Sequence, residues 1–143
     1  MSNIRRVAIC GAGAWGTAMA LHLVRQGCQV ALLPRRGEQS REIYASRENG
    51  SYLPGFTLPD EIQVADLEQA SLEDVSAVFL ASPSYALKYW LDRIRAIGLG
   101  NRSRLFISLA KGLDLNTLET PCQIVADSLP GSLVASLSGP TFA

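Results

Sequence analysis

The chain has 143 residues, enough for one domain with a proper core, with 48% hydrophobic and 18% charged residues. Its 13 basic and 13 acidic side chains cancel, and the isoelectric point is about 6.6, so nothing suggests the clustered positive surface that nucleic acids or anionic membranes require. No run approaches the ~20 apolar residues of a membrane-spanning helix, and no membrane insertion is expected.

The predicted elements alternate. The first strand is "RVAIC" from Arg6, followed by a helix over 15–26 that Gly27 closes. The stretch 7–24 follows two arginines and is apolar enough to resemble an export signal. Cleavage near Met19 would cut the first helix of a regular pattern, so it is read as strand, turn and helix instead. Next come the strand "QVALL" from Gln29 and a helix over 38–48. The segment 50–61, "GSYLPGFTLPDE", reads as an irregular loop because it holds two prolines and two glycines. A weaker strand, "IQVA" from Ile62, and a helix over 67–74 follow. The strand "AVFLA" from Ala77 precedes a helix over 85–97 closed by Gly98, then "RLFISLA" from Arg104, a helix over 120–128 and "SLVASL" from Ser132. Short continuous Val/Ile/Leu/Phe runs are expected of parallel strands covered on both faces. The alternation predicts an α/β fold: a Rossmann-type, doubly wound, mostly parallel sheet with helices on both faces.

Cys10, Cys28 and Cys122 are odd in number, widely spaced and form no CxxC pair. They suggest neither a disulfide framework nor a metal site, but small buried hydrophobes in a reducing, cytoplasmic setting. His22 is the only histidine and falls mid-helix, so no hydrolase triad is expected.

"CGAGAWG" fits G-x-G-x-x-G directly after a strand and at the start of a helix, the context in which the motif has meaning. Gly11 would make the tight turn, Gly13 would let backbone approach a pyrophosphate, and Gly16 would let helix pack on strand. The helix N-terminus would offer free N–H groups to the phosphates, so a dinucleotide is the expected ligand. About twenty residues on, an NAD-specific site would carry an acidic residue. This chain has "LLPRRGE", with Arg35 and Arg36, which attract a 2′-phosphate and stack on adenine. NADP is favoured over NAD, with two solvated surface arginines as the alternative. Ligands of open α/β sheets lie beyond the carboxyl ends of the strands, where "ASPSY", "LAKGL" and "LSGPTFA" fall. Lys111 lies in a locally apolar run where an unpaired charge is costly, so an anionic ligand is one partner and a snorkelling surface position the other reading. Ser138, Gly139 and Thr141 surround a Gly-Pro turn able to hold a polar substrate.

Taken in order, "GAGAWGTAMA", "NGSYLPGFTLPDEI", "ASPS", "LAKGL" and "LSGPTFA" resemble the N-terminal domain of the bacterial type of NAD(P)-dependent glycerol-3-phosphate dehydrogenase, over nearly the whole chain. The resemblance implies reduction of dihydroxyacetone phosphate to sn-glycerol 3-phosphate with NAD(P)H, which supplies the phospholipid backbone. It also implies that Ala14 and Trp15 lie under the dinucleotide, that Arg35 and Arg36 surround its adenosine end, and that Tyr52 lines the cofactor cleft. Lys111 would touch cofactor and substrate, Gly139 and Thr141 the substrate, and Ala143 the cofactor. The family more often has Ser at position 14, so Ala14 would keep only backbone contacts, and Leu33 and Pro34 stand where many relatives have a tryptophan. The family's helical C-terminal domain, which supplies the general-base lysine and most of the glycerol-phosphate pocket, is absent from residues 1–143. Lys88, in the amphipathic stretch "SYALKYWLDRIRAI", is no substitute, and no catalytic residue is expected in this chain. A cofactor domain without substantial activity alone is therefore expected. The alternatives are a non-catalytic nucleotide-sensing module and the cofactor domain of another reductase of the superfamily acting on a hydroxyacid. Apolar surface is expected near the C-terminus and around Tyr89, Trp90 and Ile94, which would make a homodimer plausible.

Overall fold

The computed structural model describes residues 5–101 and 104–139. Six parallel strands form one sheet: β1 (Arg6–Cys10), β2 (Gln29–Leu33), β5 (Ile62–Val64), β6 (Val75–Leu80), β7 (Leu105–Ser108) and β8 (Leu133–Ser136), in the order β5-β2-β1-β6-β7-β8. The order reverses direction at β1, where Ala8 pairs with Ala31 on one side and Val78 on the other. A crevice opens at such a switch point, between the loops leaving the strands in opposite directions.

Successive side chains of β1 supply two separate cores, because strand residues point alternately to opposite faces. Ala8 and Cys10 join Leu33, Leu80, Phe106, Trp90, Leu91 and Ile94 on the face covered by α3 (Leu87–Ala96) and α4 (Pro121–Ser128). Val7 and Ile9 join Met19, Ala20, Leu32, Ile43 and Phe79 on the face covered by α1 (Ala14–Arg25) and α2 (Gly37–Ser46). Burial on both faces is why the strands read as unbroken apolar runs. Helix α4 starts where expected, because Thr120 accepts from the Gln123 backbone N–H at 3.2 Å and Gln123 Oε1 accepts from the Thr120 N–H at 2.8 Å. Pro121 occupies the first helical position, where a missing N–H costs nothing.

Four expectations need correction. No helix forms over 67–74; the segment is a chain of turns in which the Gln69 and Ala70 N–H groups both donate to the Asp66 carbonyl at 3.0 Å. Leu67 and Leu72 are buried in the core from this loop, so tertiary packing rather than helical periodicity accounts for their apolarity. The segment 50–61 is not wholly irregular: β3 (Glu48–Asn49) and β4 (Leu53–Thr57) form an antiparallel hairpin. Pro54 and Gly55 are tolerated because this small ribbon stands apart from the main sheet, with little neighbouring backbone to satisfy. Trp90 and Ile94 are 1% and 0% exposed, so helix α3 does not present them as an apolar surface; of that stretch Tyr89 is exposed, as are Tyr85 and Ile97 at its ends. Exposed apolar side chains do lie near the C-terminus, at Leu133 and Leu137. Of the cysteines, Cys10 is buried whereas Cys28 and Cys122 are only half-buried, and all three are free.

Smaller differences concern element ends. Helix α2 stops at Ser46 because Arg47 turns into the left-handed region (φ 56°), its N–H donating to the Ile43 carbonyl at 2.8 Å. Strand β6 begins two residues early at Val75, and α3 is preceded by a 3₁₀ turn at Ser84–Ala86. No helix among the described residues is long and apolar enough to cross a membrane.

Candidate functional site

The site is built where β1, β2 and β6 end. Gly11 follows β1 with φ 110°, its N–H donating to the Leu33 carbonyl at 2.9 Å, while the Ala81 N–H donates to the Cys10 carbonyl at 2.9 Å. A Cβ on Gly11 would collide with the Ala81 carbonyl, and one on Gly16 with the Gly11 carbonyl and the Ala81 side chain. Those two glycines permit close packing of turn, helix and strand. Gly13 differs: it is the extended N-cap of α1 (φ −77°, ψ −171°), and nothing lies within 4 Å of where its Cβ would stand. It faces open space, so the motif divides into two packing glycines and one that leaves the backbone approachable.

No side chain caps α1, and no acidic residue occupies its first turn. Its leading N–H groups and partial positive charge remain available to an anion. The turn itself is tied down from two directions. The Ala12 carbonyl accepts from Gln39 Nε2 at 2.9 Å and from Asn49 Nδ2 at 2.8 Å, and the same Asn49 nitrogen donates to Thr17 Oγ1 at 2.8 Å. Asn49 is 1% exposed, so a fully buried amide links the β3–β4 hairpin to the glycine turn.

An open cleft of about 770 Å³ lies over the turn. Of the predicted residues it gathers Gly11, Gly13, Ala14, Arg35, Arg36 and Tyr52. Gly16 sits beneath the turn as a packing position, and Trp15, 54% exposed on the first turn of α1, is not part of the lining. Gln39, Ser82 and Tyr85 join the lining without having been singled out. The signal for Ser82 was present, since it falls in the "ASPSY" strand end; Gln39 and Asn49 carried none, because a buried amide is indistinguishable from a surface one in sequence. No carboxylate is among the lining residues.

Lys111 and Gly139 lie three residues beyond β7 and β8 respectively, on the same edge of the sheet but outside this cleft. Lys111 is exposed, as are Gly112 and Leu113, so its charge is solvated and carries no burial cost, contrary to the expectation from its apolar neighbours. Thr141 and Ala143 lie outside the described residues. Lys88 is exposed on α3 and outside this cleft, and His22 is exposed on α1. Burial pushes the Cys10 thiol up to about 12, which leaves it protonated and unreactive rather than a nucleophile. Among the described residues no group of three or more His, Cys, Asp or Glu side chains could hold a metal ion.

The lining fits a dinucleotide on its own evidence. An uncapped helix start and the open space at Gly13 suit a pyrophosphate. Ser82 Oγ is buried with no hydrogen-bond partner among the described residues, an arrangement that a polar ligand in the cleft would complete. Two arginines without a lining carboxylate suit an anionic adenosine end.

A six-stranded parallel sheet of this order, with a glycine turn and free helix N-terminus at its switch point, defines a Rossmann-type nucleotide-binding domain. Residues 6–143 match the family model described as NAD-dependent glycerol-3-phosphate dehydrogenase N-terminus, and the chain belongs to that family. It is 36% identical over 141 residues to glycerol-3-phosphate dehydrogenase [NAD(P)+] of Chlorobium phaeobacteroides, covering 96% of this chain and 42% of the relative. It is 38% identical over 139 residues to the enzyme of the same name from Hydrogenovibrio crunogenus, covering 96% and 40%. The crystal structure of glycerol-3-phosphate dehydrogenase from Coxiella burnetii superposes with a TM-score of 0.86 at 31% identity, covering 97% of this chain and 42% of that one. The chain thus spans about two-fifths of the length of the curated relatives it matches.

Proposed function

We propose that the chain is the cofactor-binding part of a cytoplasmic NAD(P)-dependent glycerol-3-phosphate dehydrogenase, which reduces dihydroxyacetone phosphate to sn-glycerol 3-phosphate with NAD(P)H. The observation that carries the reading is the cleft over Gly13: an open glycine turn, an uncapped helix start and two arginines, with no carboxylate among the lining residues. The bound nicotinamide dinucleotide supplies the hydride; the residues of this chain bind and orient it. In this reading Gly11, Gly13 and Ala14 hold the pyrophosphate through backbone N–H groups, with Gly16 supporting them from below and Trp15 close by. Arg35 and Arg36 take the adenosine end and favour NADP over NAD, because guanidinium groups attract a 2′-phosphate. Tyr52 covers the cleft from the hairpin.

Lys111, exposed beyond β7, is assigned to cofactor and substrate, Gly139 and Thr141 to the triose phosphate, and Ala143 to the cofactor. The general base and most of the substrate pocket are placed outside residues 1–143, in keeping with the share of the relatives' length that these residues span. The chain alone is therefore expected to bind dinucleotide weakly and not to turn over substrate. Exposed Leu133 and Leu137 make association of two copies part of the same expectation, to be read by light scattering.

Titration of NADPH and NADH fluorescence with the 143-residue chain, with and without dihydroxyacetone phosphate, tests the reading. Saturable binding, tighter for NADPH and quenched by Gly13→Trp, is the expected result. Absence of binding at millimolar dinucleotide, or robust turnover of dihydroxyacetone phosphate by this chain alone, would refute it.

A further inference from the structure

Arg35 does not hang free in the cleft. Its guanidinium carbon lies 4.8 Å from the centre of the Tyr89 ring, and the Tyr89 hydroxyl donates to the Arg35 carbonyl at 3.4 Å. Tyr89 is held in turn. Arg93 Nη1 donates to the Tyr89 hydroxyl at 2.6 Å, and the Arg93 guanidinium stands 5.0 Å from the same ring and 5.3 Å from that of Trp90. Glu68 receives both Arg93 Nε at 2.7 Å and Arg93 Nη2 at 2.6 Å in a two-pronged pair. Trp90, 1% exposed, meets the Tyr89 ring edge-on at 5.7 Å and anchors the group to the core.

Two cations share one tyrosine ring, and only one of them is neutralised. Glu68 satisfies Arg93, whereas Arg35 has no carboxylate partner among the described residues and is part of the cleft lining. A free arginine loses side-chain freedom when it is immobilised on a ligand. An arginine already laid on a ring has lost part of that freedom beforehand, so more of its attraction to a phosphate appears as affinity. We propose that Tyr89, braced by the Arg93–Glu68 pair, is the positioning residue that holds Arg35 ready for the 2′-phosphate of the dinucleotide. Tyr89 thereby sets part of the preference for the phosphorylated cofactor without touching it. The proposal rests on Arg35 belonging to the adenosine end of the cofactor site, as read above.

Dissociation constants for NADPH and NADH are measured on the 143-residue chain and on Arg35→Ala, Tyr89→Leu, Tyr89→Phe and the Arg35→Ala/Tyr89→Leu double variant, with melting temperatures alongside. Arg35→Ala is expected to weaken NADPH about tenfold or more and NADH within about twofold, because a charge-assisted bond to phosphate is lost. Tyr89→Leu should weaken NADPH by roughly two- to fivefold, the range of an exposed cation–π contact, with NADH unchanged. Tyr89→Phe, which keeps the ring but removes the hydroxyl's bonds to Arg93 and to the Arg35 carbonyl, should weaken NADPH by less. In the Arg35→Ala background Tyr89→Leu should have no further effect. A Tyr89→Leu effect that falls equally on both cofactors, or persists without Arg35, overturns the proposal and leaves the reading of Arg35 intact. An unchanged NADPH-to-NADH ratio in Arg35→Ala overturns that reading, and the proposal with it. If the leucine variant does not fold, Tyr89→Phe carries the test: a loss confined to NADPH and absent in the Arg35→Ala background supports the proposal, and an equal loss on both cofactors or one that persists without Arg35 overturns it.

Discussion

Replacing Asn49 tests whether the hairpin is an energetic part of the glycine turn. Its amide makes two bonds, to the Ala12 carbonyl and to Thr17 Oγ1, both at 2.8 Å and both inside the protein. Each such bond contributes about 0.5–1.5 kcal/mol net. In Asn49→Ala the Ala12 carbonyl keeps Gln39, and the Thr17 hydroxyl can turn back to the carbonyl one helical turn earlier, so neither is wholly orphaned. The expected cost is therefore about 2 kcal/mol including the small cavity, a fall of roughly 4–8 °C in Tm for a domain of this size. Asn49→Asp is the sharper probe. It preserves volume but replaces the donor by an acceptor facing a carbonyl oxygen, so it should cost more than alanine, with the carboxyl driven towards its protonated form by burial. Thermal melts by circular dichroism at neutral pH measure both, and NADPH titration of the folded fraction reads the turn directly. If the residue only fills space, the aspartate will be the milder substitution, and that ordering would refute the reasoning.

Gly13→Ala and Gly11→Ala should separate binding from folding: alanine at 13 meets open space, leaving Tm within about 1–2 °C while weakening the dinucleotide, whereas alanine at 11 meets the Ala81 carbonyl at φ 110° and should unfold or strongly destabilise the chain. Melts and fluorescence titration on the same two proteins check this. The hydrogen bonds from Arg93 hold the Glu68 carboxyl below its ordinary range, so the pair stabilises above the unfolded-state carboxylate value and that contribution disappears as pH falls through the lower folded value. Because Glu68 is half exposed, the effect is at most about 1 kcal/mol, and the Tm difference between the parent and Glu68→Gln should shrink steadily on acidification. In a thiol titration of the native chain with a disulfide reagent, the half-buried Cys28 and Cys122 should react and Cys10 only after denaturant is added.

How far the fold was legible follows from which signals are local. The strands of the main sheet announce themselves because both faces are buried, and any residue type that fits a pleat in such a place is apolar. Helix α4 carries its own start signal in Thr120, Pro121 and Gln123. The segment 67–74 had no such signals, and its two leucines could anchor a loop or a helix equally well; contact with the sheet resolved it. The hairpin of β3 and β4 was hidden by Pro54 and Gly55, which argue against strand in a main sheet but not in a two-stranded ribbon.

For the site, the glycine spacing after a strand was sufficient to specify a tight strand-to-helix turn, since φ 110° at Gly11 and the tight contact at Gly16 exclude any side chain there. That is a local, steric property, and it is written in consecutive residues. The division of labour among the three glycines, the amide of Asn49 under the turn and the Glu68–Arg93–Tyr89–Arg35 chain are not local. Apart from the Arg93–Tyr89 step within one helix, the last two join residues 25 to 54 positions apart, through distances of a few ångströms that exist only after β1, β2 and β6 lie side by side. Lys111 illustrates the converse: its apolar neighbours suggested a buried charge, but a strand end leaves the loop beyond it open to water, and the lysine is exposed. Burial and pairing belong to the folded neighbourhood of a residue, and that neighbourhood is mostly composed of residues far away in the chain.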